Sequence, residues 1–163
     1  MSWFQTRIRR SGGERNVLFA VLAVAIFSAI LAIDVVESLA ADQPVIQNMT
    51  FFTFWALLAG AVGGTCGLLT SYHKYFGYAG ARGWLWAFLG GVMVSGIGAV
   101  VGGTMILPYY GTMFAPLKLI IVMFEQPVLA VLWVGMVICV HKLIARWREE
   151  RDSIFKTDAE PLY

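Results

Sequence analysis

The stretch "WAFLGGVMVSGIGAVVGG", Trp86 to Gly103, decides the fold. It is apolar throughout, so it reads as part of a membrane span. Small residues recur in it every four positions: Ala87, Gly91, Ser95, Ala99 and Gly103 form one row, and Gly98 and Gly102 add a pair beside it. Residues four apart share a helix face, so the spacing predicts a flat strip along one side of a helix. Glycine costs about 1 kcal/mol relative to alanine in an ordinary helix, which implies a close-packing neighbour. In lipid, apolar side chains gain little by exchanging lipid for protein, and close approach of small-residue faces drives association.

The neighbour expected from the sequence is the preceding span. There Ala56, Gly60 and Gly64 form one row, and Ala59, Gly63, Gly67 and Ser71 lie on the row beside it. The second and third spans are therefore expected to meet backbone to backbone, with Gly60, Gly63, Gly64 and Gly67 facing Gly91, Ser95, Gly98, Ala99, Gly102 and Gly103. A match between "WALLAGAV" (Trp55 to Val62) and "WAFLGGVM" (Trp86 to Met93) hints at an inverted repeat, although composition alone accounts for eight residues of this kind.

Working outward, the chain of 163 residues is 59% hydrophobic and 13% charged, against about a quarter charged in a soluble domain. A bilayer core about 30 Å thick is crossed by about 20 apolar helical residues. Four segments meet that length, at about 17–39, 49–72, 84–107 and 117–144, so the expected fold is an all-α integral membrane protein, an antiparallel four-helix bundle. Residues 1–16 read as a basic N-terminus and 145–163 as a polar tail. The "RIRR" start followed by an apolar run resembles a secretory signal, but the run exceeds the 7 to 15 residues of a signal core, and an uncleaved first helix is expected.

Orientation follows the cations. Arg7, Arg9, Arg10 and Arg15 precede the first span, Lys74 and Arg82 lie between the second and third, and Lys142, Arg146, Arg148, Arg151 and Lys156 follow the fourth. All fall on one side, and Lys118 alone falls on the other. Positive residues stay cytoplasmic, giving N-in and C-in. The sequon Asn48 to Thr50 lies too near the membrane to be read as more than chance. The aromatic connection "PYYGTMFAP", Pro108 to Pro116, is expected to lie in the membrane interface, and the "YHKYFGYAGARGWLW" segment to form a headgroup-level aromatic belt.

Chemistry-bearing residues are few. Glu125 and Gln126 precede Pro127 in the expected fourth span. A charge at a span's centre costs about 2.5 to 3.5 kcal/mol on insertion scales, and Pro127 removes a helix hydrogen bond, which predicts a kink there. Asp34 and Glu37, three apart on the first span, lie at a similar depth, so that with Glu125 they form a candidate ion or proton site. Lys118 is the nearest candidate counter-charge. Cys66, His73, Cys139 and His141 are weak metal candidates, because no paired-ligand spacing is present. No disulfide is expected, and in the tail Ile154 and Phe155 offer a small apolar docking point.

The absence of a phosphate loop, nucleophile elbow or di-histidine box argues against an enzyme, and nucleic-acid binding has no support. The expectation is a non-catalytic accessory, scaffolding or assembly subunit of a larger membrane complex or homo-oligomer, in a bacterial inner membrane or an equivalent energy-transducing membrane. Expected partners are membrane lipids and other subunits, with bound lipid and no other cofactor. The alternative is a small ion- or proton-coupled transporter or channel using Glu125 with Asp34 and Glu37.

Overall fold

The structure, a computed structural model, describes residues 12–39 and 51–157. The Asn48 sequon, Arg7, Arg9 and Arg10, and the side chains of Glu37, Ile154 and Phe155 lie outside the described residues. The described chain is helical from end to end: α1 (Gly12–Leu39), α2 (Phe51–Tyr75), α3 (Gly80–Ile106), α4 (Tyr110–Glu125) and α5 (Pro127–Thr157). Four of these, α1, α2, α3 and α5, are long and apolar enough to cross a membrane, as a multi-pass protein requires. Exposed Leu, Ile, Phe and Val side chains cover all four, as expected where the solvent is lipid.

The fourth span differs from its expected position. It begins at Pro127, not at 117, and residues 110–125 form a separate helix of 16 residues, about 24 Å long. The aromatic connection Pro108–Pro116 is likewise mostly helical, with Pro116 inside α4. At the other ends the helices outrun the apolar runs: α1 starts at Gly12, α2 continues to Tyr75, and α5 carries straight into the tail.

Small residues set the spacing of the bundle, and they serve four seams. Between α2 and α3, Ala59 faces Gly102, Gly63 faces Gly98, and Gly67 faces Val94, so each step of four along one helix meets a step of four back along the other. A methyl group added at Gly63 would lie 2.9 Å from the Gly102 nitrogen and against the Gly98 carbonyl. Gly60 and Gly64 border this seam through their α-carbons, near Gly102 and Gly98, but turn their open side toward Ser28 and Ala32 of α1. Gly91 and Gly103 also leave that seam: Gly91 receives Val137 and Trp133 of α5, and Gly103 meets Gly111 and Ala115 of α4. Helices with small residues on more than one side pack closely on more than one side.

Two ends of the bundle can now be distinguished. At the basic end, Gly13 of α1 lies against Trp147 and Glu150, and Gly77, after α2, lies against Ile144 and Arg148. At the far end, the indole nitrogen of Trp55 donates to the carbonyl of Met105 at 2.8 Å, satisfying one of the last carbonyls of α3 that has no partner within its own helix. The chain then reverses through Tyr109, whose φ of 69° and ψ of −60°, with a 2.9 Å bond from the Tyr110 nitrogen to the Pro108 carbonyl, make a tight γ-turn.

From that turn α4 crosses the bundle. Gly111 lies against Gly103, and Val122, eleven residues on, packs with Leu31 of α1 and Leu129 of α5. Ala32 is level with Gly60, and Gly60 with Gly102, so both ends of α4 sit near one depth. Only after Pro127 does the chain descend, along α3 and α1, through a core containing Val24, Leu68, Trp133, Val137 and Ile144.

Candidate functional site

The polar feature most conspicuous in the sequence lies at the joint of α4 and α5. Steric conflict with a proline ring drives the preceding residue out of the helical region, and Gln126 adopts φ −122° and ψ 84°. Its nitrogen still donates to the Val122 carbonyl at 2.9 Å, closing α4, and its carbonyl accepts from Leu129 at 3.0 Å, opening α5. Pro127 therefore occupies the first position of a new helix, where its missing N–H is harmless, and does not kink a continuous one. The carbonyl end of α4 and the amide end of α5 converge on this point.

Glu125, Gln126 and Pro127 are all exposed, flanked by the exposed Phe124 and Val128. The carboxylate looks away from the bundle, and among the described residues it forms no hydrogen bond or ion pair. Asp34 is half-buried on α1, the Glu37 side chain lies outside the described residues, and among the described residues no three acidic or metal-ligating side chains gather. Lys118 is half-buried seven residues earlier, about two turns back along the same face of α4.

At the basic end the chain builds a tighter arrangement. Gly77 has a φ of 85°, a conformation that suits glycine, and its N–H donates to Nδ1 of the buried His141 at 3.2 Å. The Arg148 guanidinium donates to the His73 carbonyl at 2.5 Å and lies 4.3 Å over the Tyr78 ring. The Trp84 ring sits 4.6 Å from His141, and Tyr72, His73 and Trp147 form a second aromatic group beside it. These contacts tie the α2–α3 turn to α5, which makes His141 a positioning residue.

The four weak metal candidates do not converge: Cys66 is half-buried, Cys139 and His73 are exposed, and His141 is committed to Gly77. Among the described residues no group of three or more His, Cys, Asp or Glu approaches metal-binding geometry. Of the packing residues, Ser95 accepts a 2.8 Å hydrogen bond from the Trp133 indole, a cross-helix contact that no spacing in the sequence signals. Ser95 and Ala99 also line a small cavity of about 90 Å3 between α1, α3 and α4.

Gly96 and Gly135 stand apart from the other glycines of the helix interiors. A methyl group added to either would meet nothing within 4 Å. Both lie on apolar faces, and Gly135 shares an exposed face with Cys139, four residues on. No family model, no curated protein and no solved structure matches the chain.

Proposed function

We propose that the protein is a non-catalytic membrane subunit that assembles with other membrane helices, either of a larger complex or of its own copies. One observation carries this reading: Glu125, Gln126 and the broken backbone between them and α5 lie on the outside of the bundle. At the edge of the hydrocarbon, where α4 lies, an outward-facing carboxylate and amide beside exposed apolar side chains can act as hydrogen-bonding glue between helices. A polar spot facing outward among Phe124 and Val128 invites a partner helix bearing a cation or hydrogen-bond donor. Gly135 adds a place on α5 where a second backbone can approach closely.

The same exposure weighs against transport through a single chain, since a pathway would draw its titrating group inward. The orientation that places the basic end in the cytoplasm, N-in and C-in, accompanies the proposal, as does residence in a bacterial inner membrane or an equivalent one. Lipids are the other expected partners.

The test is purification of the tagged full-length chain from its native membrane in a mild detergent, followed by native mass measurement. The expected result is a defined hetero- or homo-oligomer, which Glu125→Ala and Gly135→Leu each dissociate while the released chain keeps its thermal stability. A monomer that supports an ion flux in vesicles, abolished by Glu125→Gln, would replace this reading with the transport one.

A further inference from the structure

We propose that the groove between α1, α3 and α4 binds one anionic glycerophospholipid, with an acyl chain against its apolar walls and the phosphate on the Lys118 ammonium. The groove exists because α4 crosses the bundle and does not descend it, which leaves a wedge between α4 and the last turns of α1 and α3. Its volume is about 380 Å3, within the roughly 300 to 1,000 Å3 typical of small-molecule sites.

The walls are almost wholly apolar: Val35 and Val36 from α1, Ile106 from α3, and Phe114 and Ile121 from α4. Gly103 and Gly111, backbone to backbone, form a floor without side chains. Four of the lining residues, Val35, Gly103, Ile106 and Ala115, also line the small cavity that reaches Ser28 and Ser95, so the groove continues inward. Water gains nothing in such a space, and the medium bathing these helices supplies hydrocarbon chains.

The charge selects among those chains. Lys118 is the one Lys or Arg between Arg82 and Lys142, and it stands half-buried in the groove wall. Ile106 is the last residue of α3, and the chain turns back at Tyr109 directly after it, so the groove lies toward the edge of the hydrocarbon, near the depth of the phosphates. A lysine there lays its methylene stem along apolar surface and presents its ammonium to the headgroups. An acyl wall and a cation at headgroup depth are the two recognition elements of an anionic lipid.

The test uses the delipidated full-length protein in detergent, titrated with palmitoyl-oleoyl-phosphatidylglycerol or its phosphatidylcholine counterpart and read by native mass spectrometry. The expected result is a single bound phosphatidylglycerol, preferred over phosphatidylcholine by about fivefold. Lys118→Gln should abolish the preference and Lys118→Arg retain it, while Ala115→Phe should lower occupancy by both lipids. Should Ala115→Phe fail to fold, the two Lys118 variants decide alone. Equal binding of the two lipids by the unaltered chain, or an undiminished preference in Lys118→Gln, would overturn the proposal. So would a quantitative disulfide between cysteines placed at positions 45 and 114 in nanodiscs, since the chain's own 40–50 segment would then fill the groove.

Discussion

At the scale of single residues, the glycines divide into those that admit a neighbour's backbone and those that admit nothing. A methyl group at Gly63 meets main-chain atoms of Gly98 and Gly102, which cannot rotate away. Gly63→Ala should therefore push α2 and α3 apart and cost about 1 to 3 kcal/mol, as overpacking does elsewhere. Gly96→Ala, in open space on α3, should be neutral or stabilising by up to about 1 kcal/mol, and thermal unfolding in detergent measures both. Gly80 belongs to neither group, because it has free space but a φ of 79°, so Gly80→Ala should destabilise through the backbone alone, by about 1 to 2 kcal/mol. The four-residue spacing was readable in the sequence, but the partner of each row was not. A helix with glycine on several sides offers several equivalent faces, and periodicity names no neighbour. Gly60, Gly91 and Gly103 went to α1, α5 and α4 for that reason.

At the scale of elements, α4 was the least legible. Apolar residues run unbroken from Leu119 to Phe124, and nothing in hydropathy distinguishes a helix that crosses a bundle from one that descends it. Pro127 was the sole mark of the boundary, and it reads equally as a kink or as the start of a new helix. The two aromatic tyrosines and flanking prolines pointed to a loop, yet a γ-turn at Tyr109 compresses the whole reversal into three residues. The role of Pro127 can be measured. Pro127→Ala restores an N–H and frees Gln126 to become helical, so α4 and α5 should straighten toward one axis. Spin labels at the exposed positions Met113 and Ile138 should then move apart, and an unchanged distance would show that packing of Val122 and Leu129 against Leu31, and not the proline, sets the angle.

For the whole molecule, length and hydropathy find the spans, and the distribution of cations supplies the expectation for their sense. The structure gathers Arg15, Lys74, Arg82, Lys142, Arg146, Arg148 and Arg151 toward one end, where α1 begins and α5 finishes. In a Cys66→Ala, Cys139→Ala background, a cysteine at the exposed Lys74 should be shielded from an impermeant maleimide in intact cells and one at the exposed Tyr109 should react; the reverse pattern would invert the orientation. The clamp at that end was not legible, because Gly77 and His141 are 64 residues apart and their bond uses the backbone of one partner. His141→Ala should remove a hydrogen bond worth about 0.5 to 1.5 kcal/mol and speed amide exchange at Phe76 to Ala79 several-fold, leaving the far end unchanged.

The four separate glycine seams also impose a chronology on synthesis. A nascent chain that has emerged only as far as Leu107 already holds every residue of the α2–α3 contact and can zip it shut. It lacks Gly111, Trp133 and Val137, so the bare strips at Gly91 and Gly103 stay open until translation ends. An unfinished copy thus displays two sticky backbone faces that the finished one conceals, which is a signature a membrane protease or chaperone can read.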